Sequence, residues 1–314
     1  MRDVLYKPVR SALISVCLLC AVLIGCTACG NVEKEGANAV EGEHRTTRTD
    51  FLSPSADGDI TYKKDSVKID ASHTDDGYIM ISYSGDADSA RVQITDPSDT
   101  IYSYSLSVGD METFPLSSGD GTYQIDVLEH AYDDMYSLAC SWDTDVKISD
   151  EFKPFLYPNQ YCWYTKDSQA VKYGMELSDQ SSNDLDYVEK VYNYVTTSIT
   201  YDTELAKNVP TDYIPDIDAA MKKGTGICFD YASLMAAMLR SQGIPTKLEV
   251  GYSGQAYHAW ISVYLQESGW VDNIISFDGN SWSLMDPTLA ASNSASAVKK
   301  YVGDGSNYTV KYNY

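Results

Sequence analysis

A buried helix that begins at a cysteine is predicted by the stretch Gly224-Thr-Gly-Ile-Cys228-Phe-Asp-Tyr-Ala-Ser-Leu-Met-Ala-Ala-Met-Leu-Arg-Ser-Gln-Gly243. Cys228, Ala232, Met235 and Leu239 share one helix face, because steps of three and four residues match the helical repeat. Gly243, followed by Ile244 and Pro245, predicts the end of this helix. Unpaired N–H groups and the helix dipole at a helix start favour an anion, so Cys228 is a candidate reactive thiolate.

Two later segments supply side chains that activate a thiol. His258-Ala-Trp260-Ile-Ser-Val-Tyr-Leu265 has the pattern of a strand, with His258 and Trp260 on one face. Asp286 ends a predicted strand and is followed by Pro287. A helix packed across such a sheet can place nucleophile, base and orienting carboxylate together. Taken alone, each residue more often has a structural role: a cysteine on an apolar helix packs in the core, a strand histidine is held by hydrogen bonds, and an Asp-Pro pair forms a turn.

Together these motifs resemble the transglutaminase-like superfamily, a branch of the papain-like cysteine enzymes, over residues 184–288. The matching motifs are Gly226-Ile-Cys228-Phe-Asp-Tyr-Ala-Ser, His258-Ala-Trp260 and Trp282-Ser-Leu-Met-Asp286-Pro-Thr. The resemblance implies that Cys228, His258 and Asp286 form a catalytic triad that passes through a thioester acyl-enzyme. The backbone N–H of Cys228 would then help to bind the oxyanion.

Four further residues are candidates for the oxyanion or the substrate. Members of this superfamily often carry an upstream aromatic or amide side chain near the oxyanion, and Gln160, Tyr161 and Trp163 are the candidates here. Trp260 is expected either to shield the thioester or to pack in the sheet. No calcium-type acidic loop and no cysteine–histidine cluster is present in the catalytic part of the sequence, so we expect no metal and no cofactor.

The acyl acceptor is not specified by a triad. Water would give a peptidase or amidase, and an amine would give a glutamine transamidase. The resemblance to compact exported bacterial members favours hydrolysis of a peptide or amide bond in a protein or peptide substrate, with the cell envelope as one setting. Transamidation is the alternative, and a non-enzymatic adhesion or assembly module is the third hypothesis.

The first 25 residues have the pattern of an export signal. Arg2, Lys7 and Arg10 precede a short apolar run. That run ends in Leu23-Ile24-Gly25-Cys26, which resembles the lipobox of bacterial lipoproteins and implies cleavage before Cys26 and lipid on its sulfur. The protein would then be extracytoplasmic and anchored to the cell membrane. A plain secretory signal and an uncleaved anchor are the alternatives.

The remaining chain divides into four parts by pattern. Residues 26–66 are polar and are expected to form a flexible tether. Residues 67–150 alternate with period two and predict a small β-sandwich, similar to immunoglobulin-like or fibronectin-like modules, that serves as spacer, substrate-presenting or carbohydrate-binding domain. Residues 151–295 predict an α+β catalytic domain with helices before an antiparallel sheet. Residues 296–314 form either an edge strand or a loose extension.

Charge and cysteine content limit the partners. A formal net charge of −22 argues against nucleic acid as a partner. Outside the leader and its cleavage site, the cysteines are Cys140, Cys162 and Cys228. Cys140 and Cys162 either form a disulfide or remain two free buried thiols, and Cys228 is left over in both cases.

Overall fold

Strands make up the first part of the fold in the computed structural model, which describes residues 44–271, 276–277, 282–283 and 307–314. They are β1 (Thr61–Lys64), β2 (Val67–Asp70), β3 (Tyr78–Tyr83), β4 (Ala90–Thr95), β5 (Ile101–Leu106), β6 (Glu112–Pro115), β7 (Gly121–Tyr132) and β8 (Met135–Val146). Period-two alternation predicts six of these strands and misses β1 and β6. β1 lies before the alternating region, within the predicted tether, and β6 has three consecutive buried residues and so does not alternate.

The eight strands form two antiparallel sheets. Their orders are β1-β2-β3-β6 and β5-β4-β7-β8, so β5 is an edge strand. Buried side chains of both sheets, such as Ile79, Ile81, Val92 and Ile125, belong to one hydrophobic cluster. The immunoglobulin-like comparison made from the sequence stays a prediction, as do the domain boundaries.

Helices follow the strands. They are α1 (Gln169–Asp179), α2 (Asp184–Ser198), α3 (Thr203–Lys207), α4 (Ile217–Lys223) and α5 (Cys228–Ser241). Short strands β9 (Thr200–Tyr201) and β10 (Thr225–Gly226) pair in parallel between them. Besides the cysteine helix, the sequence predicts helices over 167–177, 184–199 and 216–223, which correspond to α1, α2 and α4. Helix α3 lies where the sequence predicts a loop rich in Pro and Asp. Helix α5 is the centre of this part, because every residue from Asp230 to its end is buried.

A third four-stranded sheet, also antiparallel, packs against α5. Its strands β11 (Thr246–Ser253), β12 (Ala256–Leu265), β13 (Gly269–Val271) and β16 (Tyr308–Asn313) lie in the order β13-β12-β11-β16. Strands β14 (Ser276–Phe277) and β15 (Trp282–Ser283) pair with each other. The sequence predicts this hairpin from the turn residues Asp278-Gly-Asn-Ser between two strand-like stretches. The question that the sequence left open at the carboxyl end is answered for residues 308–313, which form an edge strand on β11.

Residues 44–66 correct the predicted tether. The Arg45 backbone N–H donates to the Ser181 carbonyl at 2.8 Å, and the Phe51 ring lies 5.5 Å from that of Tyr164. Strand β1 also falls within this stretch. The segment is polar, and its composition therefore suggested flexibility. Its polar residues are ordered by hydrogen bonds to residues far along the chain, which composition cannot reveal. The tether residues 26–43 lie outside the described residues, as does Cys26.

The two cysteines of uncertain pairing are free thiols. Cys140 lies on β8 and Cys162 precedes α1, and both are buried. The Cys162 thiol donates to the Ser233 carbonyl of α5 at 3.7 Å. Burial raises the pKa of Cys162 to about 11 and also raises the pKa of Cys140. Both thiols are therefore packing residues in this structure.

Candidate active site

Two glycines allow the chain to enter α5 at Cys228. Gly224 ends α4 with a φ of 67°, a left-handed conformation that side chains disfavour. A Cβ on Gly226 would lie 2.7 Å from the Asp230 Cβ and 2.9 Å from its Oδ2. Ile227 then caps the helix in an extended conformation, and Cys228 is its first residue. The thiol therefore sits in the first turn, where the sequence predicted it.

Asp230 holds the start of the helix and a neighbouring loop. Its Oδ2 accepts from the backbone N–H of Ile227 at 2.8 Å, and Tyr213 donates its hydroxyl to both carboxylate oxygens. Burial raises the pKa of Asp230, and the two donors oppose that shift. The carboxylate is only 3% exposed, so these donors replace the water that it has lost.

His258 lies on β12, opposite Gly251 of β11. Its ring is 6.1 Å from that of Trp260, with the planes 28° apart. Trp260 is 1% exposed and meets Tyr308 of β16 edge-on at 5.0 Å. Trp260 therefore packs behind the imidazole, and it is not among the described residues that line the cavity at the thiol.

Cys228 and His258 line the same cavity, which has a volume of about 480 Å³. Cys228 is half-buried, so its thiol is accessible from this cavity. Seven aromatic side chains belong to the lining: Tyr161, Tyr201, Tyr213, Phe229, Tyr257, Tyr312 and Tyr314. Burial raises the pKa of Tyr257, and the nearby groups Tyr312, Tyr252 and Cys228 add to that rise. A partly accessible thiol and an imidazole facing one cavity can carry out nucleophilic acyl chemistry.

The three upstream candidates for the oxyanion or the substrate line two different cavities. Tyr161 lines the cavity with Cys228, whereas Gln160 and Trp163 line a different cavity of about 630 Å³. Gln160 donates from Nε2 to the Ser105 carbonyl and to Glu112 Oε2, both at 2.6 Å. Burial raises the pKa of Tyr161 to about 12, and its hydroxyl donates to the Ser103 carbonyl at 3.1 Å.

The third triad candidate, Asp286, lies outside the described residues. Within the ranges that the structure describes, no cluster of His, Cys, Asp and Glu could hold a metal ion. Over the same ranges, no helix has the length and apolarity needed to cross a membrane.

Sequence reasoning missed most of the aromatic lining. Tyr312 and Tyr314 come from the carboxyl end, and Tyr201 and Tyr213 flank α3. The one available signal was the tyrosine-rich run Tyr308-Thr-Val-Lys-Tyr-Asn-Tyr, in which Tyr312 and Tyr314 are two residues apart and so share a face in extended backbone. A register shift opposite Val250 and Gly251 puts Tyr308 on the other face of β16. Nothing local indicates that this strand pairs beside the thiol.

Comparison with known proteins agrees with these motifs. Residues 172–273 match the model of the transglutaminase-like superfamily, a range that contains Cys228 and His258. The chain contains a transglutaminase-like domain. Asp286 lies beyond the end of the matched range.

Relatives of the transglutaminase-like domain include the uncharacterised protein YebA of Bacillus subtilis, strain 168, 30% identical over 119 residues. That match covers 31% of this chain and 16% of YebA, so the chain spans less than a fifth of its relative. The periplasmic domain of TgpA from Pseudomonas aeruginosa is similar with a TM-score of 0.36 and 14% identity, over 70% of this chain and 93% of that one. A candidate cysteine protease from Cytophaga hutchinsonii has a TM-score of 0.35 and 16% identity, over 73% and 78% of the two chains.

Proposed function

We propose that this protein is an exported, lipid-anchored cysteine enzyme that cleaves peptide or amide bonds through Cys228, His258 and Asp286. The observation that carries the proposal is the shared cavity, in which a thiol at the start of α5 and an imidazole on β12 line one space. The match of residues 172–273 to the transglutaminase-like superfamily supports it.

The chemistry would take place in two steps. The Cys228 thiolate attacks the substrate carbonyl carbon, and the backbone N–H of Cys228 donates to the oxyanion that develops. His258 passes its proton to the departing amine, which leaves a thioester on Sγ. His258 then removes a proton from water, which attacks the thioester and releases the carboxylic acid. Asp286 would hold the imidazole tautomer and stabilise the imidazolium.

Hydrolysis is favoured over transamidation by the surroundings of the thiol. Trp260 packs behind His258 and is buried, so this indole does not shield the thioester from water. The cavity lining includes the well-exposed Tyr257 and Val209, which leave a path for solvent. A transamidase would need to exclude water from its acyl-enzyme.

The acceptor can be tested directly with detergent-solubilised full-length protein. A panel of peptides is incubated with the protein and a fluorescent primary amine, and products are separated by mass spectrometry. We expect cleaved peptides without amine incorporation, and we expect cleavage to be lost in Cys228→Ala. Amine incorporation without cleavage would establish the transamidase instead. Cys140→Ala, which removes a thiol outside the cavity, is the matched control.

If Cys228→Ala cleaves the peptides as fast as the unaltered protein, cleavage does not depend on Cys228 and the cysteine-enzyme proposal is wrong. If the unaltered protein neither cleaves any peptide nor incorporates the amine, the adhesion or assembly hypothesis takes its place. The anchor has a separate test, because Cys26→Ser removes the sulfur that would carry lipid. We expect this variant to leave the membrane fraction. A variant that stays there would contradict lipidation at Cys26.

A further inference from the structure

The β sheets of the first part of the chain contribute a wall to the cavity at Cys228. Ser103, at the middle of edge strand β5, lines this cavity together with Cys228 and His258. Its carbonyl accepts the hydroxyl of Tyr161 at 3.1 Å, which fixes another lining residue against β5. A module that acted only as a spacer would not be expected to line the cavity at Cys228.

Aromatic contacts join β5 to the rest of this cavity. Tyr104 of β5 lies 5.4 Å from Tyr161 and 5.9 Å from Tyr314, measured between ring centroids. Tyr161 in turn lies 5.2 Å from Phe229, the residue that follows Cys228. Because rings at these separations attract each other through packed faces and edges, the buried Tyr104 ring holds β5 against the aromatic residues that line the cavity.

The described lining of the cavity carries no Asp, Glu, Lys or Arg, although the chain has a net charge of −22. Two of the tyrosine hydroxyls are also turned toward the protein, that of Tyr161 to Ser103 and that of Tyr213 to Asp230. Away from Cys228 and His258, a charged group entering this space would lose water without gaining an opposite charge. An uncharged ring or apolar side chain would instead exchange water for aromatic contacts.

We propose that this cavity, completed by β5, binds an uncharged aromatic or apolar side chain of the substrate peptide beside the bond that Cys228 attacks. The inference rests on the proposed function for the identity of the nucleophile. A sugar is the weaker occupant, because no described lining residue is an Asn, Gln, Asp or Glu that could pair with its hydroxyls.

A panel of small electrophiles tests this inference on the full-length protein. Chloroacetamides carrying a benzyl, carboxymethyl, aminoethyl or glucosamine-derived group each alkylate Cys228: the Sγ–C bond forms, the C–Cl bond breaks, and chloride leaves with the thiol proton. The measured quantity is the second-order rate constant at Cys228 for each reagent. We expect the benzyl reagent to exceed the two charged reagents by about tenfold or more, since a buried ring is worth at least that factor in binding.

Ser103→Glu places a carboxylate on the cavity wall and should remove most of the benzyl preference, by about fivefold or more. Ile101→Glu is the matched control, because Ile101 is exposed, lies on the same strand and is not among the lining residues. The rate with iodoacetamide, which has no side group, should be the same in both variants. Equal benzyl rates in both variants, equal rates across the panel, or a faster glucosamine reagent would each overturn the inference. Failure of the proposed function would look different, because Cys228 would then react no faster than the other cysteines even with iodoacetamide.

Discussion

Tyr213 donates its hydroxyl to both carboxylate oxygens of Asp230, at 2.8 and 2.9 Å. Asp230 lies two residues after Cys228 in the first turn of α5, and Tyr213 belongs to the loop that follows α3. Val209, Pro210, Thr211 and Tyr213 of this loop line the cavity. One carboxylate therefore fixes both the helix start that carries Cys228 and the loop that forms part of the cavity beside it.

Tyr213→Phe should loosen that loop while keeping the aromatic ring. The Asp230 carboxylate would lose a donor in a buried place, so the free energy of unfolding should fall by about 1–2 kcal/mol. The rate of benzyl chloroacetamide at Cys228 should fall more than that of iodoacetamide. Urea unfolding and alkylation kinetics measure the two effects. Tyr173→Phe, on α1, is the control, and an unchanged stability in Tyr213→Phe would contradict the role given to this bond.

Alkylation should distinguish Cys228 from the two other cysteines of the described chain. At about pH 7.5, a thiol with the pKa of about 11 given to Cys162 is ionised in roughly one molecule in three thousand. Cys140 and Cys162 are also buried, whereas Cys228 is half-buried at a helix start. We expect iodoacetamide to modify Cys228 first by at least about a hundredfold. Peptide mapping of the native full chain at timed intervals measures this, and comparable rates at Cys162 would contradict an activated Cys228.

Local patterns were sufficient to predict the two elements that carry Cys228 and His258. The cysteine helix and the histidine strand each follow from the spacing of their own apolar residues, and α5 and β12 form as expected. The cavity wall could not be predicted in this way. Ser103 and Tyr314 reach the cavity only because β5 ends one sheet and β16 pairs with β11, which are contacts between residues far apart in the chain. Periodicity predicts which residues of one element share a face, but it does not predict which other element packs against that face.

Asp230→Asn should change how stability depends on pH. The pKa of Asp230 is raised in the folded protein from the ordinary value of 3.8, with burial as the main cause. A group with a raised pKa gives its full contribution to stability below its unfolded value, and that contribution is lost as pH rises through the folded value. The unaltered protein should therefore lose stability relative to Asp230→Asn as pH rises from 3.8. Urea unfolding of both proteins over an acid-to-neutral series measures the difference, with exposed Asp179→Asn as control. A difference that is constant over the series would show that Asp230 does not titrate as described.

Arg45 should be required to hold the segment before β1 against the helices. Its Nε donates to Asp184 Oδ1 at 2.6 Å, its Nη1 to Ser178 Oγ at 2.5 Å and its Nη2 to the Gln242 carbonyl at 2.5 Å. The guanidinium also lies 4.7 Å above the Tyr187 ring, and the Arg45 side chain is 8% exposed. These bonds join the segment to α1, to α2 and to the residue just after α5.

Arg45→Ala should lower the free energy of unfolding by about 2–4 kcal/mol, because it removes charge-assisted bonds and leaves their acceptors short of a donor. Arg45→Lys should recover only part of the loss, since an ammonium cannot reproduce the planar fork of three donors. Urea unfolding of the three proteins measures stability, and limited proteolysis should cut Arg45→Ala between residues 44 and 60 sooner than the unaltered protein. If Arg45→Ala is as stable and as resistant as the unaltered protein, these residues are a tether after all, as their composition suggested.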